Sequence, residues 1–221
     1  MSKIKKLKPT LSCGPDGISQ YVLKECSCSL IEPLSILFNL WTKCSIVPDI
    51  WKSSYVVPIF KKGNRESIVN YRPIISNSAI SKILDSIMSD KLSNFIEKII
   101  VDSQHGFESG KSTITNLMIM VDEIYNSFDK KYQVDVVYTD FSKTFDFVNF
   151  DILIKKLHMY NVPKEYINWY DNFLWNRIIK VKINDSLSES LVVPLGVRQG
   201  SHSGPNLFKI YINDLPDVIK Y

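Results

Sequence analysis

Val134-Asp135-Val136-Val137-Tyr138-Thr139-Asp140 is the stretch on which the fold turns. Residues 134–138 are rich in β-branched and aromatic side chains, which suit a pleated, half-buried surface, and they predict a strand. The strand runs into Asp140, and Phe141-Ser142-Lys143-Thr144-Phe145-Asp146 follows. A carboxylate at the end of a buried strand, just before a turn, projects where a sheet meets an open groove. Phosphoryl transfer to a 3′-hydroxyl uses divalent ions held by such carboxylates, two of them about 3.5–4 Å apart. Asp146 is either a second acidic group or a turn residue. Asp often caps turns, so spacing alone leaves both Asp140 and Asp146 open to that plainer reading.

Upstream of this stretch, Gly14-Pro15-Asp16-Gly17 forms a turn cluster after a basic, loose leader at residues 1–9. Helical patterns follow at 19–27 and 31–44. Residues 55–60 read as a strand, and Pro58 within it points to a sheet edge. After a turn at Lys61-Lys62-Gly63-Asn64, residues 71–75 form a second extended run. Apolar residues recur at helical spacing through 80–100 and again through 112–128, where Ser112 or Thr113 can serve as the N-cap. Downstream, 151–159 and 164–175 predict helices, with Pro163 at the start of the second. Residues 178–183 and 187–194 predict a hairpin around Asn184-Asp185-Ser186, and 201–214 a last helix. Helices and strands mix without regular βα alternation, so the fold class is α+β.

Composition bounds the rest. The 221 residues are 45% hydrophobic and 23% charged, which excludes a disordered chain. No run approaches the ~18 uninterrupted apolar residues of a membrane span, and no apolar run follows the N-terminal lysines as in a secretory signal. The expectation is an intracellular chain, in nucleus or cytoplasm, with no membrane partner. The four cysteines, Cys13, Cys26, Cys28 and Cys44, match no common zinc spacing and are expected to be reduced, structural thiols. A net charge of +4, from 27 basic and 23 acidic residues, permits a nucleic-acid partner without requiring one.

The string from Tyr138 to Asp146, with Val148-Asn149, resembles the first palm motif of reverse transcriptases from non-LTR retrotransposons. Four further blocks fall in the order of that family. They are Gly14-Pro15-Asp16-Gly17-Ile18; Trp51-Lys52 with Pro58 to Gly63 and then Asn70-Tyr71-Arg72-Pro73-Ile74; Gln104-His105-Gly106-Phe107 with Gly110-Lys111-Ser112-Thr113; and Gly196-Val197 with Gln199-Gly200-Ser201, Gly204-Pro205, Leu207-Phe208 and Ile212 to Pro216. The resemblance implies a right-hand polymerase: a fingers subdomain at about 10–130, then a partial palm at 131–221 whose antiparallel sheet is flanked by helices.

The same resemblance implies roles. Asp140, with the carbonyl of Phe141, would hold catalytic Mg2+ or Mn2+. Phe145 would lie under the sugar of an incoming deoxynucleoside triphosphate and exclude a 2′-hydroxyl. Arg72 and Lys61 would grip its triphosphate, the guanidinium as a fork and the ammonium as a point charge. Gln199 and Gly200 would face the nucleotide, and Gly110, Lys111 and Ser201 the RNA template and DNA primer. Each also has a plainer reading: core packing for Phe145, a solvated face for Lys61 and Arg72, a loop-to-helix junction for 199–201. His105 and His158 read as structural, and Asp214 and Asp217 as helix-end turn residues.

The chain departs from the family at several positions. Leu195 stands where Ser is usual, Arg198 for Pro, Ser203 for Leu, Thr144 for Ala and Phe150 for His. Arg198 is expected beside the template, and Thr144 is expected to crowd the metal strand. The scatter suits a decaying element copy or drift within an active lineage. The third palm motif, an aromatic, any residue, then two aspartates, does not occur before Tyr221, nor does a thumb, so the polypeptide alone is expected to extend no primer. The alternative reading is a non-catalytic nucleic-acid-binding remnant or domesticated domain. A group II intron-type polymerase fits the wording around 71–74 and 104–113 less well.

Overall fold

The computed structural model describes residues 2–198 and 200–218. In chain order the elements are α1 (Ser2–Lys5), α2 (Gln20–Glu25), α3 (Ser27–Lys43), α4 (Asp49–Lys52), β1 (Ser53–Phe60), β2 (Tyr71–Ser76), α5 (Ala79–Ile96), α6 (Thr113–Asp129), α7 (Phe150–Met159), α8 (Lys164–Leu174), β3 (Arg177–Ile183), β4 (Ser186–Leu187), β5 (Leu191–Val193), α9 (Gly204–Ile212) and α10 (Leu215–Val218). The content is mixed α and β, with helices packed beside one sheet.

The core is helical. Leu34 and Phe38 of α3, Leu84, Met88 and Leu92 of α5, Leu153 and Leu157 of α7, Trp169 and Phe173 of α8, and Leu207 and Ile210 of α9 form one buried cluster. These side chains recur three or four apart on each helix, the spacing that makes one face apolar. Capping fixes several starts: Ser78 accepts the Ser81 N–H, Asn149 the Ile152 N–H, and Ser112 forms a capping box with Thr115.

The sheet runs β2-β1-β3-β4, with β5 also paired to β3. It is mixed, not the expected antiparallel sheet: β1 runs antiparallel to β2 but parallel to β3. Its strands come from both sides of residue 130. β1 is therefore internal, which corrects the edge position read from Pro58. The proline is tolerated because β3 leaves β1 after Val56, so no neighbour needs an N–H from Pro58. Pro58 also stands directly opposite Pro73. The Lys61 N–H donates to the Asn70 carbonyl, so hydrogen-bonded pairs fall at alternate positions, and the two prolines share a non-hydrogen-bonded one. The hairpin turns at Asn184-Asp185, and its return strand breaks between Leu187 and Leu191, where the register against β3 slips by one residue as in a bulge.

Residues 134–138 are not a strand. They run unpaired, with Val137 84% and Tyr138 80% exposed. β-rich composition yields a strand only where a neighbour takes up the backbone groups and a layer covers one face; among the described residues neither stands beside this segment. Helix α6, which the Tyr138 hydroxyl touches through the Met120 sulfur at 3.6 Å, likewise buries none of its residues.

Three smaller expectations also change. The leader is not loose: α1 docks on α5, with Ile4 5% exposed. Among the four free thiols, Cys26, Cys28 and Cys44 are exposed, so they pack no core. The helix expected over 201–214 begins at Gly204 rather than Ser201, and α10 follows it.

Candidate nucleotide and template site

Two loops that the sequence separates by about fifty residues are joined here. The Gly196 N–H donates to the Val148 carbonyl and the Val197 N–H to the Phe145 carbonyl, both at 2.8 Å. Gly196 has φ +86°, and a Cβ on it would lie 2.7 Å from the Asp146 carbonyl oxygen. Only glycine fits both the left-handed backbone and that approach. Arg177, at the start of β3, fastens the loop from below, donating to the Leu195 carbonyl at 3.1 Å and to the Gly196 carbonyl. Burial, and then the neighbouring Arg198, push Arg177 down to about 9, so it remains charged at neutral pH. Asp146, Gly196, Arg198 and the β2 residues Pro73 and Ile75 line a cavity of about 300 Å³.

Arg198 corrects the sequence expectation most sharply. The cation expected beside a template is 5% exposed, within the core. Its Nη1 donates to the Trp51 carbonyl at 2.8 Å and its guanidinium sits 4.7 Å over the Phe173 ring. Burial lowers it to about 10, partly offset by the charge of Asp85. Asp85, 2% exposed on α5, accepts the His202 N–H at 2.6 Å and the Ser203 hydroxyl. Burial raises its carboxyl, with Ser203, His202 and Arg198 pulling the other way. Of the unusual residues, Ser203 bonds this buried carboxylate directly, and Arg198 acts on it only through its charge. A third, Phe150, is buried under the Arg177 guanidinium and edge-on to Trp175. These positions are integrated into the packing. The signal that could have found Asp85 is its place on α5 in line with Ser81, Met88, Leu92 and Ile96, a charge on the apolar face.

Asp140 lies exposed at the end of the unpaired segment, not at a buried strand terminus, and lines none of five principal cavities among the described residues. Phe141, half exposed beside it, lines a separate cavity of about 360 Å³ with Phe208, Tyr211 and Asp214. Its carbonyl accepts the Thr144 hydroxyl at 2.9 Å. Phe145 packs between Phe208 and Phe107, at centroid distances of 5.2 and 6.0 Å. The Gly14-Pro15-Asp16-Gly17 turn docks elsewhere: Asp16 accepts the Ser78 hydroxyl at the cap of α5.

Lys61 and Arg72 are exposed. Strand alternation puts them on one face of the sheet with Lys180 and Lys182, opposite the face of Pro73 and Ile75 that lines the 300 Å³ cavity. Arg72 and Asp146 therefore address different sides. Gly110 has φ +75°, and Lys111 turns back to the Asp102 carbonyl. Gly200 also has φ +75°, with open space where a Cβ would point. Ser201 does act at a helix start: its hydroxyl accepts the Gly204 N–H at 3.1 Å and donates to the Arg198 carbonyl. Gln199 lies outside the described residues. His105 Nδ1 is 3.0 Å from the Thr115 hydroxyl, and Asp214 pairs with Lys156.

The family description "Reverse transcriptase (RNA-dependent DNA polymerase)" matches residues 59–221. The chain belongs to the reverse transcriptase family. It is 31% identical over 216 residues to the "Probable RNA-directed DNA polymerase from transposon BS" of Drosophila melanogaster, which covers 96% of this chain and 24% of that protein. It is 28% identical over 216 residues to the corresponding X-element protein, covering 94% and 23%. It is 25% identical over 216 residues to the "RNA-directed DNA polymerase from mobile element jockey", covering 96% and 24%, both from the same organism. The five blocks thus point to the family that the comparisons find. The chain spans about a quarter of the length of these curated relatives. The assignment to this reverse transcriptase family rests on these matches and not on the pose of Asp140. Among the described residues of this reverse transcriptase chain, no helix is long and apolar enough to cross a membrane.

The reverse transcriptase ligand set is tested by the residues themselves. Among the described residues no group of three or more His, Cys, Asp or Glu could hold a metal ion. Asp140 offers one carboxylate, and Thr144 already engages the Phe141 carbonyl. These residues do not complete a divalent-ion site.

Proposed function

We propose that this chain is the fingers and first palm portion, about 10–130 and 131–221, of an RNA-directed DNA polymerase from a non-LTR retrotransposon. The observation that carries the reading is the pair of hydrogen bonds joining Phe145 and Val148 to Val197 and Gly196, which sets the first palm motif against the block that begins at Gly196. In this reading Lys61 and Arg72 contact the triphosphate of an incoming deoxynucleotide, Phe145 screens its sugar, and Gln199 and Gly200 face it. Gly110, Lys111 and Ser201 follow an RNA template and its DNA primer within the cell, in nucleus or cytoplasm. Asp140 and the Phe141 carbonyl contribute part of a Mg2+ or Mn2+ site. The described residues leave that site incomplete.

A labelled RNA-template/DNA-primer hybrid titrated with the purified chain tests the reading. Salt-dependent binding is expected, without primer extension in Mg2+ and deoxynucleotides. No binding at low salt overturns the reading, and extension overturns the incomplete site.

A second reading, a non-catalytic nucleic-acid-binding remnant or domesticated domain, is favoured by the Thr144 hydroxyl on the Phe141 carbonyl. The two readings part on deoxynucleotide dependence. The polymerase piece holds the hybrid more tightly when the nucleotide matching the template is added, and the remnant does not.

A further inference from the structure

The docked N-terminus builds a cleft that none of the sequence blocks covers. Ile4 anchors α1 on α5, Lys3 pairs with Asp90, and Lys24 donates to the Leu7 carbonyl at 3.2 Å, so residues 2–8 form a wall. The cleft between this wall, α5 and the loop before α9 has a volume of about 430 Å³. Lys3, Lys6, Lys8, Lys82 and His202 line it, against the single carboxylate of Asp90, which Lys3 already matches. Lys6, Lys8 and Lys82 have no ion-pair partner among the described residues. Lys82 is half-buried, and that burial lowers its ammonium from the ordinary value. A half-buried cation without a counter-charge, facing two more cations across a cleft, is the arrangement that an anion with spaced charges relieves.

We infer that this cleft binds the phosphodiester backbone of a nucleic-acid strand, which rests on the polymerase reading above and extends it to a second contact region. The shared chemistry is phosphate, from a strand or from a free anion. The strand is favoured by continuity. His202 sits beside Ser201 and Gly200, and Ser89 on the cleft floor donates to the His202 carbonyl at 2.9 Å. The loop proposed to face template and primer is therefore the end wall of the cleft. Lysine ammoniums on a serine-lined floor contact phosphates but read no base edges, so the cleft holds every sequence equally.

The test is anisotropy titration of the purified chain with labelled single-stranded RNAs of several sequences over a range of KCl concentrations. The variant Lys6→Gln/Lys8→Gln/Lys82→Gln is expected to weaken every sequence by the same factor, about tenfold, and to reduce the slope of log K against log[salt] by about 2. Arginine at the same three positions is expected to keep the wild-type slope. Inorganic phosphate is expected to displace RNA no better than chloride at equal ionic strength. Specific displacement by phosphate would overturn the strand in favour of a small anion. A glutamine variant with wild-type affinity and slope would overturn the cleft alone, whereas a wild-type chain that binds no strand would overturn the polymerase reading with it.

Discussion

The carboxylate of Asp85 on α5 accepts the hydroxyl of Ser203, 118 residues later, at the N-cap of α9. It also accepts the His202 N–H, so one buried charge holds both ends of the turn that leads from Ser201 into α9. Burial raises this carboxyl above its ordinary value. The folded chain therefore takes up a proton at a pH where the unfolded chain has lost it. The stability from this group is present below the ordinary carboxylate range and is lost as pH rises through the raised value. Urea denaturation of the wild type and Asp85→Asn between pH 4 and 7, in matched buffers, is expected to show the wild type gaining on the variant as pH falls. A constant difference would sink the assignment.

The charge of Arg198 favours the ionised form of Asp85, and removing it leaves that buried carboxylate only its bonds from Ser203 and His202. Arg198→Met and Asp85→Asn are each expected to destabilise by about 1–3 kcal/mol. The double variant is expected to lose less than the sum, with a coupling of about 0.5–3 kcal/mol. A double-mutant cycle by chemical denaturation reads this directly, and strict additivity would mean that the two side chains do not sense each other.

Gly196→Ala places a methyl 2.7 Å from the Asp146 carbonyl oxygen on a backbone of φ +86°. The left-handed conformation alone costs about 1–3 kcal/mol for a non-glycine residue, and the close approach adds to it. The expected result is a lower urea midpoint with faster hydrogen exchange at the Val197 amide, which bonds Phe145. Gly200→Ala, where a Cβ meets open space, is expected to show only the backbone part.

Thr144→Ala removes the hydroxyl that occupies the Phe141 carbonyl. Mn2+ is expected to broaden backbone NMR signals around Asp140 at several-fold lower concentration in this variant, and Asp140→Asn is expected to abolish the effect. Unchanged Mn2+ titrations would show that Thr144 does not compete for the carbonyl.

Local patterning carried much of the secondary structure. The apolar period of 3.6 marked α5, α6, α7 and α8 to within a few residues at either end, and the Asn184-Asp185 turn marked the β3–β4 hairpin. The same logic failed at 134–138, because a strand is a relationship with a neighbour and the composition of one segment cannot supply the partner. It failed also for Arg198, expected beside a template, and it gave no sign of the burial of Lys209. Both are long cations that a sequence places in solvent, yet Arg198 is buried on Phe173 and Lys209 pairs with Glu108 at 5% side-chain exposure. Long cations stay inside when carboxylates, carbonyls and rings from distant segments converge on them.

The order of blocks from Gly14 to Pro216 pointed to the family that the matches show, because short motifs in a fixed order are specific even when each is weak. Helix positions and the glycines at tight turns followed from local chemistry as well. Only the tertiary structure decided which residues meet: the leader on α5, Asp85 with Ser203, Gly196 on Asp146, and Arg72 on the opposite sheet face from the Gly196 cavity. Those pairings join segments from about fifty to more than a hundred residues apart. The free energy of such contacts depends on what each buried charge and backbone group finds on the far side, which no local period encodes.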